Sequence, residues 1–67
     1  MSELPERTRK IIEGARQGKA LSQFQLGLLY EQGWDGVEQN LAEAQYWFGE
    51  AAAQGYERAQ RYLERYS

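Results

Sequence analysis

The sequence contains no cysteine and no histidine, and these two absences remove most of the chemistry that a chain of 67 residues might perform. Without thiols there is no disulfide framework, no thiolate nucleophile and no soft metal ligand. Without imidazole, the commonest metal ligand and the commonest general base are both missing. No metal and no cofactor is expected. Long apolar runs are also lacking. Nothing approaches the roughly 18 apolar residues of a membrane span, so no membrane partner is expected. Met1–Pro5 has neither an apolar leader core nor a small-residue cleavage site, and the expected location is cytoplasmic. Between Lys19 and Arg58 there is no basic residue, whereas Glu31, Asp35, Glu38, Glu43, Glu50 and Glu57 are acidic. A nucleic-acid ligand wants a continuous basic footprint, which this band interrupts.

What remains for catalysis is ten carboxylates and a few hydroxyls. Paired carboxylates can do acid–base work, but most of these glutamates fall at helical positions that read as exposed, where nothing raises a pKa. Gly33 and Gly36 have no preceding strand and no following lysine, so they do not form a phosphate loop. The reading is non-enzymatic.

The chain is nevertheless rich in core material. Hydrophobic residues make up 42% and aromatics 13%, too apolar for disorder despite a mean hydropathy of −0.83. A chain this short buries only about 60% of the surface its unfolded form exposes, so its rings carry much of the burden.

Gly18, Gly33, Gly36 and Gly55 divide the chain into four segments with helical spacing. The first, residues 4–17, places Leu4, Thr8, Ile11, Ile12 and Ala15 on one face. The second, 20–32, is apolar around most of its circumference and should lie between neighbours. The third opens with Asn40 as N-cap and Glu43 as the capping-box residue, carries Leu41, Ala44, Phe48, Ala51 and Ala52 on one side, and ends at Gly55. The fourth, 56–66, has Ala59, Tyr62, Leu63 and Tyr66 on its core side. No run alternates with period two. The fold class is therefore all-α, about four helices in antiparallel hairpins.

A shift of 37 residues aligns Glu13 with Glu50, Ala15 with Ala52, Gln17 with Gln54, Gly18 with Gly55, Gln23 with Gln60 and Leu26 with Leu63. A period in this range is the signature of a helical-hairpin solenoid. Within it, Gln23-Phe24-Gln25-Leu26-Gly27, Tyr30 and Gly33 are followed by Gly36-Val37, then Ala44-Gln45-Tyr46-Trp47, Ala51-Ala52-Ala53-Gln54-Gly55 and Ala59-Gln60. This order resembles the Sel1-like repeat, a relative of the TPR. Ser22 and Asn40 depart mildly from it, Trp34-Asp35 lengthens the turn by one residue, and Glu64 stands where the repeat has glycine. The resemblance implies a short α-solenoid occupying residues 1–67 as one domain: a capping helix at 4–17, one full repeat at 20–54 and a capping helix at 56–66. It assigns Leu26, Gly27, Tyr30, Ala44, Ala51 and Gly55 to the fold and Trp47 to packing between hairpins. Members discussed as β-lactam binders or enzymes are cysteine-rich, unlike this chain.

The resemblance further implies binding of another protein or peptide on the concave face, lined by the first helix of each hairpin. There, Leu21, Phe24, Leu28 and Glu31 lie within about 80° of arc, and 37 residues on stand Arg58, Arg61 and Arg65. An apolar stripe beside an arginine stripe suits an apolar segment carrying a carboxylate. Two readings compete. Leu21, Phe24 and Leu28 can equally receive Ile11 and Leu4, and the arginines can be a solvated face salted by Glu57 and Glu64. Trp34 is either an interface anchor or a ring folded back on Val37 and Leu29. The expected role is an adaptor or scaffold. The alternatives are an inhibitor, antitoxin or immunity-type protein that blocks a partner enzyme, or a homo-oligomeric building block whose uncovered ends stack.

Overall fold

The computed structural model describes residues 3–66; Met1, Ser2 and Ser67 lie outside the described residues, and with them part of the leader reading and the two ends of the expected 1–67 domain. Four helices follow one another: α1 (Glu6–Arg16), α2 (Ala20–Gln32), α3 (Leu41–Ala53) and α4 (Glu57–Glu64). Among the described residues there is no strand. Each helix packs against the next, and α2, apolar on most sides, lies between α1 and α3. The fourth helix stops at Glu64, two residues short of the expected Tyr66, which lies in a turn.

The 37-residue repeat is visible in hydrogen bonds. Gly18 at φ +89° and Gly55 at φ +87° end α1 and α3 in the left-handed conformation that costs glycine nothing. After α1, the Gly18 and Lys19 amides donate to Ala15 and Gly14; after α3, those of Gly55 and Tyr56 donate to Ala52 and Ala51. These are the paired bonds of a Schellman end, made twice in register. The glutamines then clamp one helix to the previous one. Gln23 Nε2 donates to the Ala15 carbonyl at 3.3 Å, and Gln60 Nε2 to the Ala52 carbonyl at 3.3 Å. Gln54 Nε2 links the two units, reaching the Gly18 carbonyl at 2.8 Å and Gln23 Oε1 at 2.9 Å. The Ala15 and Ala52 carbonyls thus each take a second donor beside the glycine amide.

Asn40 caps α3, its side-chain oxygen accepting from the Glu43 amide at 3.1 Å. The reciprocal half of the expected capping box is not needed, because the Asn40 amide donates to the Tyr30 carbonyl at 2.9 Å. Gln39 Nε2 donates to the Glu31 carbonyl, so the loop itself closes the end of α2. Thr8, fully buried, donates to the Asp35 carbonyl at 2.9 Å and pins α1 to the same loop. Leu41, expected on the core side of α3, is half exposed; as the first helical residue it precedes the turn that packs.

Two apolar clusters result. Ile11, Ala15, Leu26, Leu29 and Val37 join α1, α2 and the loop, with Trp47 against them. Phe24, Ala44, Phe48, Ala51 and Ala59 join α2, α3 and α4, flanked by Leu28, Tyr56, Tyr62 and Tyr66. Tyr30 touches both. Gly27 belongs to the second. A Cβ there would lie 2.6 Å from two ring carbons of Phe48, so the space that glycine vacates is taken by a ring.

Candidate protein-binding surfaces

Packing against α3 and α4 splits the expected stripe of α2 in two. Phe24, Gly27 and Glu31, at i, i+3 and i+7, share the side turned to α3 and α4. Leu21, Gln25 and Leu28, at i, i+4 and i+7, share the side beside it. Phe24 is 3% exposed, and its ring lies 5.2 Å from Tyr62, 5.3 Å from Tyr56 and 5.8 Å from Phe48. Its expected place in an exposed stripe is thereby corrected: Phe24 is a core ring. Leu28 is half-buried, and Leu21 is 53% exposed.

Glu31 is also withdrawn from the surface. It is buried, and its carboxylate accepts from the Arg65 guanidinium at 2.5 Å and the Tyr66 hydroxyl at 2.6 Å. Burial by itself raises the Glu31 pKa, but the bonds from Tyr66 and Arg65 outweigh it and hold the carboxyl below its usual range. The Tyr66 hydroxyl is pushed up to about 12, first by burial and then by its bond to the carboxylate. Arg65 also stands 4.5 Å over the Tyr62 ring. One arginine of the expected stripe is therefore engaged within the chain from an exposed position, fastening the end of α4 to α2. Sequence reasoning named Glu31 and Arg65 for a partner and missed that they hold each other. Their spacing of 34 residues, close to the repeat, was the available signal.

Arg58 and Arg61 remain exposed, and among the described residues neither has a carboxylate within ion-pair reach; Glu57 and Glu64 do not salt them. Trp34 is 55% exposed and, with Ile11, Leu28 and Leu29, lines a cleft of about 180 Å³ between α1 and α2. A second cleft of about 500 Å³ adjoins it, and Arg7, Ile11 and Gln25 line both. This α1–α2 groove was not anticipated from sequence, although the 37-residue shift contains it. Among the described residues no group of His, Cys, Asp and Glu is placed to hold a metal ion. None of the helices described is long and apolar enough to cross a membrane.

Tandem hairpins, side-chain clamps at helix ends and open apolar–cationic faces define a helical repeat scaffold. The Sel1 repeat family model matches residues 20–56, more than half of the chain. The chain belongs to the Sel1 repeat family, whose repeats mediate protein–protein interaction. No curated protein and no solved structure matches it.

Proposed function

We propose that this chain is a non-catalytic interaction module that grips an apolar, carboxylate-bearing segment of a partner protein across α2 and α4. The observation that carries this reading is that Leu21 on α2 is half exposed and that Arg58 and Arg61 on α4, thirty-seven residues after Leu21 and Phe24, are exposed and without carboxylate partners among the described residues. The two helices meet through aromatic side chains, Phe24 of α2 lying against Tyr62 of α4 and against Tyr56 at its N-cap. Leucine supplies area to remove from water, and guanidinium supplies a bidentate carboxylate contact. Leu28 continues the apolar strip, with Phe24 and Glu31 buried on the neighbouring side of α2.

The test is capture of the partner by the intact chain and by a Leu21→Asp plus Arg58→Glu variant. Capture should be lost while the thermal unfolding curve is unchanged, because both side chains are exposed. Undiminished capture would refute the reading. An activity assay on the captured protein then separates a scaffold, which leaves the partner working, from an inhibitor.

A further inference from the structure

We propose that the outward face of α3 is a second binding site, a seat for a helix of a partner protein that carries a ridge of small aliphatic side chains with arginine or lysine beside it. A helix that meets water on one side normally turns charged residues to it. The outer faces of α1 and α4 do so, with Arg9, Glu13 and Arg16 on one and Arg58, Arg61 and Glu64 on the other. The outer face of α3 does not. This helix packs on α2 and α4 through Ala44, Phe48 and Ala51, at i, i+4 and i+7. On the opposite side Ala42, Tyr46, Gly49 and Ala53, at i, i+4, i+7 and i+11, form a second apolar face. Ala42 and Ala53 are exposed, and Tyr46 is 55% exposed. The Tyr46 ring stands edge-on to Trp47 at 4.9 Å, and Trp47 packs against the cluster around Leu26. An exposed ring is thus held in position before any partner arrives, the form an interface anchor takes.

Gly49 sets how closely the partner comes. The other helix-interior glycines make room within the chain: a Cβ at Gly14 would strike Ser22 Oγ, and one at Gly27 the Phe48 ring. At Gly49 a Cβ would meet nothing within 4 Å. Glycine weakens a helix interior relative to alanine, and here no packing inside the chain requires it. A helix laid along Tyr46 would use the gap, its own small side chains approaching the α3 backbone.

Charge selects the partner's sign. Glu43 and Glu50 lie on one edge of this face, a turn to either side of Tyr46 and about 10 Å apart along the axis. Neither has a basic group within ion-pair reach among the described residues, and no lysine or arginine occurs from Ala20 to Glu57. An arginine over Tyr46 and beside either carboxylate would gain a cation–π contact and a charge-assisted bond together. A second copy of this chain offers no such ridge. On α1, Glu6 and Glu13 alternate with Arg9 and Arg16, and on α4, Arg65 is held by Glu31. The occupant is a different protein.

The probe is a displayed library of helical peptides with a fixed alanine–leucine ridge and randomised flanks, selected against the full chain. Enriched peptides should carry Arg or Lys flanks and weaken about tenfold or more, roughly one charge-assisted contact, against a Glu43→Lys plus Glu50→Lys variant. Glutamate at the same flank should restore binding to that variant. Tyr46→Ala should weaken all of them. Gly49→Gln should weaken them as well while raising the thermal unfolding midpoint, which separates a blocked seat from a damaged fold. Arg58→Glu should leave them unchanged, which separates this site from the α2–α4 surface. The proposal is overturned by no enrichment, by acidic flanks among the winners, by winners indifferent to the glutamate changes and to Gly49→Gln, by winners that Arg58→Glu weakens, or by a concentration-dependent dimer that Glu50→Lys dissolves.

Discussion

The α3–α4 groove and the α1–α2 groove share a backbone plan and differ in what their side chains allow. In the first, Ala44, Phe48, Tyr62 and Tyr66 form an aromatic trough that closes over Phe24. In the second, Arg7, Ile11, Gln25 and Leu29 leave a more polar trough with an exposed tryptophan at its apolar end. Bonds between glutamine amides and helix-end carbonyls set the spacing of both, since those donors and acceptors recur whatever lies between them. A repeat protein can in this way hold its stack together with one set of residues and vary its grooves with another.

Breaking the filled groove should have the largest effect. Phe24→Ala empties the centre of a ring cluster and should cost about 3–5 kcal/mol, read as a shifted urea midpoint. That is a large share of the stability a small domain has. Gly27→Ala attacks the same groove from the α2 backbone: Phe48, fully buried, must move from a Cβ placed 2.6 Å away, at a cost of about 1–3 kcal/mol.

Glu31→Gln should come next, at about 1–3 kcal/mol, because it weakens two hydrogen bonds to a charged acceptor. Its pH dependence gives a sharper reading. The Glu31 carboxyl lies below its ordinary 4.5 in the fold, so its contribution is complete above that value and fades as pH falls through the lowered one. Tyr66, raised to about 12 from 10.0, contributes below 10 and loses that contribution as pH climbs toward 12. Unfolding free energy from these two groups should be level between and fall on both sides, and Glu31→Gln should flatten the acid limb. An acid limb unchanged by Glu31→Gln would show that this carboxylate is not the group responsible.

The smallest effects on stability belong to the open surfaces. Leu21→Ala and Arg7→Glu should each stay within about 0.5 kcal/mol of the parent in thermal unfolding, because neither side chain is buried. A larger loss at Arg7 would mean that the open groove is already closed by the chain itself.

The candidate surface was legible in its residue types and not in its geometry. Leu21, Phe24 and Leu28 lie within one arc of a helical wheel, but the edge of that arc falls on the contact line with α3 and α4, and no wheel shows where the line runs. Charge was misread for the same reason. Arg65 counts with Arg58 and Arg61 on α4, yet its length lets it reach Glu31 across the helix pair. Glu31 is withdrawn from water and Arg65 is not, so an exposed guanidinium satisfies a buried carboxylate.

Local pattern alone determined four helices, their order, the left-handed ends at Gly18 and Gly55 and the cap at Asn40, since each depends on a few neighbouring residues and the hydrogen bonds a helix end leaves over. The 37-residue register determined which helices would be alike. Tertiary structure decided the rest: that Phe24 is core, that Glu31 and Arg65 are one latch, and that Arg7, Ile11 and Trp34 border one cleft. Those outcomes depend on which side chain a neighbouring helix brings within a few ångströms, and spacing along one chain does not encode that distance.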